Sequence, residues 1–156
     1  MLPGSAQGRQ SRQLLFRLRN ASKPTPDLFS CIVDVAFSRQ KMPVRAGKTG
    51  CLNRLIEREA WFEAALELVA LAHPAWTPRR LVYDDGEWIC SLSSMPSLPL
   101  FLDPMAEFTH AHPTLAILGA LLELSAGRPS GGIHSTQAAA HIRNVEPHCV
   151  RSYPLD

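Results

Sequence analysis

The stretch LVYDDGEWICSL, residues 81–92, decides the fold of this chain. It places the pair Asp85-Gly86 between two runs of apolar and aromatic residues, which is the strongest short-range signal for a β-hairpin. Because side chains alternate along a strand, a two-residue turn at this pair puts two opposed couples on one face: Tyr83 with Trp88, and Leu81 with Cys90. A two-stranded hairpin is marginal alone in water, so we expect helices to cover that face.

Residues 52–72, before the hairpin, are predicted to form one helix. Four apolar side chains fall on a single stripe at the helical period, namely Leu55, Phe62, Leu66 and Val69. Pro74 then ends the helix, because proline cannot continue the ladder of backbone hydrogen bonds. The stripe predicts the side of this helix that packs against the hairpin.

Two further helices are predicted after the hairpin. Asp103-Pro104 has the form of an N-cap followed by a first-turn proline, which predicts a helix running to about Ala111. Residues 114–125 are apolar almost all round, so we expect them to form the most buried element. Gly127 fits the position just after the end of that helix, where a left-handed backbone is common.

The sequence therefore predicts an α+β fold, a small helix–β-hairpin–helix–helix domain in an α-β-β-α-α core at residues 46–127. Residues 1–45 are interpreted as a basic, mostly disordered arm, in which residues 28–37 could form one strand. Residues 128–156 have no helical or strand period and are interpreted as a disordered tail.

Length and composition are those of one compact domain. The chain has 156 residues, of which 46% are hydrophobic, and this is enough for a core. No apolar run approaches the roughly 18 residues of a membrane span, and no secretory signal is evident. We therefore expect a cytoplasmic protein without a membrane partner. Its four cysteines, which form no Cys-x-x-Cys pair, are then free thiols: Cys31, Cys51, Cys90 and Cys149.

Charge is distributed unevenly along the chain. Residues 1–50 carry nine Lys and Arg against two acids, whereas residues 51–127 carry four Arg against ten Asp and Glu. A basic arm joined to an acidic core can bind that core, which makes the arm less available to bind nucleic acid. We therefore do not expect nucleic acid as a partner, and no nucleic-acid-binding motif points to one.

Three runs within residues 52–122 resemble a group of short bacterial proteins that share the YDDGEW-C-SLS hairpin and have no known activity. The runs are LIEREAWFEAALELV, RRLVYDDGEWICSLS and LPLFLDPMAEFTHAHPTLAIL. The resemblance implies a shared fold and an intracellular bacterial setting, with residues 1–41 and 128–156 outside the domain. That group has His in place of Ile89 and His-Glu in place of His110-Ala111, so this chain lacks polar groups that a site there would use.

The motif Gly47-Lys48-Thr49 resembles the end of a phosphate-binding P-loop and precedes a predicted helix, as such a loop must. The first glycine of the full motif is replaced by Met42, and a nucleotide-binding sheet needs more strands than the sequence offers. Binding of ATP or GTP by these three residues is therefore the alternative function, and a flexible basic loop is the favoured interpretation.

Two other patterns could carry chemistry. Glu107 and His110 have the i, i+3 spacing of di-iron helix bundles, but those bundles need two such motifs and this chain has one. His112 could add a ligand only if the helix bends at Pro113. Cys90 would need a neighbouring histidine to act as a nucleophile, so a small core residue is the better interpretation. We expect no cofactor, no metal and no catalytic residue.

The favoured function is that of a non-enzymatic protein-interaction or homodimerising module. The first helix carries apolar groups on two faces, and one hairpin can cover only one of them. The predicted contact surface comprises Trp61 and Leu68 with a ridge of like charges spaced four residues apart, Glu59, Glu63 and Glu67. Its partner would be a protein or a second copy of the chain.

Overall fold

The computed structural model describes residues 4–38 and 46–127. Five helices and three strands occur in these residues: α1 (Gly4–Arg19), α2 (Pro26–Phe37), α3 (Ala46–Glu57), α4 (Trp61–Ala72), β1 (Thr77–Asp84), β2 (Glu87–Ser93), β3 (Met105–His110) and α5 (Pro113–Ser125). The strands form one antiparallel sheet in the order β1-β2-β3. The fold is mixed α+β, as the sequence predicts. The predicted tail, residues 128–156, lies outside the described residues.

The hairpin has the predicted turn and register. Asp85 and Gly86 have φ angles of 48° and 87°, and positive values at both central residues define the type I′ turn that suits a two-residue hairpin. The strands β1 and β2 pair as expected, Tyr83 with Trp88 and Leu81 with Cys90. The local turn chemistry is therefore sufficient to fix this part of the sheet.

Residues 105–110 form the strand β3, and the prediction of a helix from Asp103 to Ala111 is wrong. Alternate side chains of β3 are buried on the face of Cys90 and Leu92, namely Ala106, Phe108 and His110. A period of two buries these residues on the sheet, whereas a helix would point them in different directions. Pro113 begins α5 and does not kink a longer helix.

Helix α5 lies at the centre of the molecule. It packs on the inner face of the sheet through β2 and β3, while α1, α2 and α4 pack around its remaining sides. Eleven of its thirteen residues are buried, which confirms the prediction that this helix is the most buried element. Gly127, with φ of 73°, follows its end as the sequence predicts.

Residues 4–38 belong to the core and do not form the predicted disordered arm. In α1 the buried apolar positions are Leu14, Leu15 and Leu18, and in α2 they are Leu28, Phe29, Ile32, Val35 and Ala36. Residues 28–37 are helical, where one strand was predicted, because Thr25 caps α2 and Pro26 opens its first turn. Residues 1–3 and 39–45 lie outside the described residues.

The single helix predicted at residues 52–72 is two helices, α3 and α4, separated at Glu59. Glu59 has a φ of 55°, and its N–H donates to the carbonyl of Ile56 while the N–H of Ala60 donates to that of Leu55. This is a Schellman motif, which ends a helix. The break rotates the buried side of α4, so Ala65, Leu68 and Val69 are buried while the predicted stripe residues Phe62 and Leu66 are half-buried.

Candidate interaction surface

Strand β1 is an edge strand with a regular, unpaired stretch. A bulge between Pro78 and Arg80 disrupts its start, and β2 occupies one of its two edges. No strand among residues 4–38 and 46–127 pairs with the other edge. An unpaired edge presents a row of backbone N–H and C=O groups that can bind another strand, and bulges and prolines are common defences against this. In β1 the proline and the bulge both precede residues 80–84, so these residues keep regular strand pairing geometry.

Large apolar side chains are exposed along this edge. Val82 is 37% exposed and Tyr83 is 59% exposed, although the ring of Tyr83 lies 5.3 Å from that of Trp88 between centroids. Arg80 and Asp84 are also exposed, with Val82 on the outer face of the sheet. Within the described part of the chain, the helix that packs on the sheet, α5, lies on the opposite face. The outer face of β1 thus combines one apolar and two oppositely charged side chains.

The bulge directs Arg79 into a buried polar cluster with Asp103 and Ser93. The guanidinium of Arg79 forms an ion pair with the carboxylate of Asp103 and donates to the carbonyl oxygen of Leu98 at 2.8 Å. Ser93 donates to the same carboxylate at 2.5 Å, and its hydroxyl accepts from the N–H of Met95 at 3.1 Å. These contacts fasten residues 95–103 to the end of the hairpin.

Asp103 is ionised in this cluster. Burial raises the pKa of its carboxyl, but hydrogen bonds from Ser93 and Arg79 and the positive charge of Arg79 outweigh burial, so the pKa lies below the ordinary value. Removing one partner of a buried ion pair leaves the other charge buried without compensation, which destabilises the fold. The cluster therefore has a structural role, which is to attach the segment between β2 and β3 to the hairpin.

The segment between β2 and β3 exposes an apolar loop, here defined as residues 95–102. Its most exposed large side chains are Met95 at 52%, Leu100 at 54%, Phe101 at 78% and Leu102 at 59%. None of the sequence patterns described above predicted this surface. The signal was present as an apolar run, Leu100-Phe101-Leu102, between Pro99 and Pro104.

The predicted contact surface on the first helix is not assembled. Leu68 is fully buried in the core, so it cannot contact a partner in the folded state. Trp61 is half-buried, and its ring packs against Phe29 with 5.7 Å between ring centroids. This contact joins α4 to α2 and accounts for the tryptophan within the fold.

The predicted ridge of glutamates is also divided. Glu59 lies in the turn that ends α3, whereas Glu63 and Glu67 lie in α4. Glu63 is exposed and Glu67 is half-buried. Because a ridge at spacing four needs one continuous helix, the structure leaves a single i, i+4 pair on α4.

The motif Gly47-Lys48-Thr49 lies in the first turn of α3. A P-loop follows a buried parallel strand, but the element that precedes this motif among the described residues is the helix α2. The described sheet is antiparallel throughout. Among the described residues, no parallel strand precedes this motif, whereas a nucleotide-binding loop directly follows one.

The candidate catalytic and metal-binding side chains are dispersed. Glu107 and His110 point to opposite faces of β3, and the carboxylate of Glu107 accepts from Ser91 at 2.7 Å. The half-buried His112 has a pKa lowered by burial and by the neighbouring His110. No group of three or more His, Cys, Asp or Glu side chains that could hold a metal occurs within residues 4–38 and 46–127.

Cys90 is a core residue. Its side chain is fully buried, and burial, with a smaller effect from the charge of Glu107, raises the pKa of its thiol to about 12. A thiol of this pKa is protonated near neutrality and is a poor nucleophile. Cys31 and Cys51 are also free thiols, and Cys149 lies outside the described residues.

Comparisons with protein-family models, with curated proteins and with solved structures find no match. The resemblance to a group of short bacterial proteins therefore stays a prediction. None of the helices in the described ranges is both long and apolar enough to cross a lipid bilayer. The arrangement that remains for functional interpretation is the edge of β1 together with the apolar loop.

Proposed function

We propose that this chain is a non-enzymatic interaction module that associates with a second copy of itself through the edge of β1 and the apolar loop. One observation carries this proposal. Of the seven large apolar side chains that are exposed in the described residues, six lie in β1 or in the apolar loop, and only Phe16 lies elsewhere. Concentrated apolar exposure of this kind marks interaction surfaces in folded proteins.

The buried contacts that hold the apolar loop in place support the same function. Arg79 and Asp103 hold the two ends of the surface together, because one belongs to β1 and the other follows the apolar loop. A surface held by buried contacts loses less side-chain and backbone entropy on binding than a free loop does. The exposed side chains are thus presented in a fixed arrangement.

The described structure gives no support to nucleotide binding through Lys48 and Thr49. No observation on the described residues favours it, since the last described element before the motif is the helix α2 and the described strands are all antiparallel.

Light scattering coupled to size exclusion, run on the full chain over a range of concentrations, tests the proposed function. We expect a mass that rises toward twice that of the monomer. Replacing Phe101 and Leu102 together by Ser should shift the midpoint of this rise to higher concentration. Phe16→Ser is the matched control, because Phe16 is 71% exposed on α1, outside the proposed surface. A monomer at every concentration would refute self-association.

A further inference from the structure

The backbone groups of β1 that are available to a partner follow from the turn. In a type I′ turn the carbonyl of the first residue accepts from the N–H of the fourth, which makes Asp84 and Glu87 a hydrogen-bonded pair. Such pairs alternate along an antiparallel ladder, so Val82 with Ile89 and Arg80 with Ser91 are the next ones. The N–H and C=O groups of Leu81 and Tyr83 therefore point away from β2.

Self-pairing of β1 permits only a few symmetric registers. A two-fold axis perpendicular to the sheet keeps each side chain on its own face, so the axis must pass midway between two copies of one residue, which then face each other. A centre at Leu81 sets Arg80 opposite Val82, and a centre at Tyr83 sets Val82 opposite Asp84. Each of these registers places a charge against an apolar side chain.

A centre at Val82 removes these mismatches. It sets Arg80 of each copy opposite Asp84 of the other, so two ion pairs flank one apolar pair on the outer face. It also sets Leu81 opposite Tyr83 of the second copy. These are the residues whose backbone groups point away from β2, so the register forms four backbone hydrogen bonds between the copies.

From this match we infer that two copies of the chain pair antiparallel through residues 80–84 of β1, in the register that sets Val82 opposite Val82. The result is a continuous six-stranded antiparallel sheet with a two-fold axis at its centre. This inference rests on the proposed self-association and adds its geometry. On the inner face it brings the half-buried Leu81 against the exposed ring of Tyr83 from the other copy.

The other edge of the sheet is a poorer candidate. Along β3 the guanidinium of Arg19 lies 5.4 Å from the centroid of the Phe108 ring, and the end of α1 borders the strand across a cleft. Three glutamates line that cleft, Glu87, Glu107 and Glu123. A second copy that paired with β3 would have to enter this cleft, where the end of α1 already lies beside the strand.

Charge reversal with mixing tests the register. Arg80→Asp and Asp84→Arg change exposed side chains, so both variants should remain folded by circular dichroism. Each alone places like charges opposite each other twice, and we expect a Kd for self-association that is at least about tenfold higher. Mixing the two variants restores both ion pairs, so the mixture should form a heterodimer more tightly than either variant forms a homodimer. The double variant R80D/D84R should return to the affinity of the original chain.

Amide hydrogen exchange gives a second readout without substitution. Raising the concentration of the full chain should slow exchange at the N–H groups of Leu81 and Tyr83. The N–H of Val82 is the internal control, because it already bonds across the hairpin. A dimer whose affinity is unchanged by the reversals, or a mixture without rescue, would overturn this register but leave self-association standing. A chain that stays monomeric would overturn both.

Discussion

Gly119 on α5 lies directly against the side chain of Phe108 on β3. A Cβ added there would overlap the ring of Phe108 on β3, and both residues lie in the core. Alanine normally favours a helix over glycine by about 1 kcal/mol. Overpacking in a rigid core costs about 1–3 kcal/mol, so we expect Gly119→Ala to lower the free energy of unfolding, measured by urea titration.

Gly50→Ala is the matched control for this prediction. Gly50 lies within α3, and a Cβ there would meet nothing within 4 Å. The same substitution should therefore raise the free energy of unfolding by about 0.5–1 kcal/mol through helix propensity alone. Equal effects of the two substitutions would contradict close packing at Gly119.

Asp103 makes the stability of the fold depend on pH in acid. Its pKa is lowered in the folded state, so the stabilisation is present above the unfolded value of about 3.9 and is lost as pH falls through the folded value. Asp103→Asn should remove this loss in acid. At neutral pH it should cost about 3 kcal/mol, because Arg79 loses its buried partner. Urea titrations at a series of pH values measure both effects.

The exposed residue Asp84 provides the control for Asp103. Asp84→Asn should leave the free energy of unfolding of the monomer within about 0.5 kcal/mol of the original value. If Asp103→Asn behaved in the same way, the cluster with Arg79 and Ser93 would not stabilise the fold.

At the scale of elements, α1 and α2 can be compared through one phenylalanine each, which is exposed on α1 and buried on α2. Phe29 on α2 is fully buried beside Trp61, whereas Phe16 on α1 is 71% exposed. Phe29→Ala should cost about 3–5 kcal/mol, because it opens a cavity in the core. Phe16→Ala should change the free energy of unfolding by less than about 0.5 kcal/mol. Thermal and urea unfolding measure both, and a small effect at Phe29 would contradict the placement of α2.

The elements that could be predicted from the sequence are those with a local signal. The hairpin follows from Asp85-Gly86, and the burial of α5 follows from its apolar composition. The strand β3 could not be predicted, because Asp103-Pro104 has the form of a helix start while Asp103 is in fact the ion partner of Arg79. A short apolar run such as residues 28–37 fits a strand or a helix, and the cap formed by Thr25 and Pro26 together with packing on α5 decides for the helix.

The candidate surface on β1 and the apolar loop depends on the whole molecule, and the sequence did not predict it. Leu68 and Trp61 are of residue types that occur at contact surfaces. The break at Glu59 sets the orientation of α4, and Leu68 lies in the core. The edge of β1 is a property of strand order, which requires β3 to be placed first. Sequence patterns on one helix carry no information about which strand is left unpaired.

The molecule as a whole should need residues 4–38 to fold, although the sequence suggests a removable arm. Leu18 of α1, and Phe29 and Ile32 of α2, are at most 1% exposed and pack around α5. A chain that begins at residue 46 would expose apolar sides of α5, so we expect it to bind a hydrophobic dye and to unfold without a cooperative transition.

Supplying residues 1–38 as a separate peptide tests whether these losses come from missing contacts. The two pieces should associate and restore a cooperative transition, because α1 and α2 bury their apolar sides on α5. A peptide carrying Phe29→Ala should restore it less well than one carrying Phe16→Ala, since only Phe29 enters the core. Cooperative unfolding of residues 46–156 alone would show instead that the sheet and α3 to α5 form a complete domain, with α1 and α2 added to its surface.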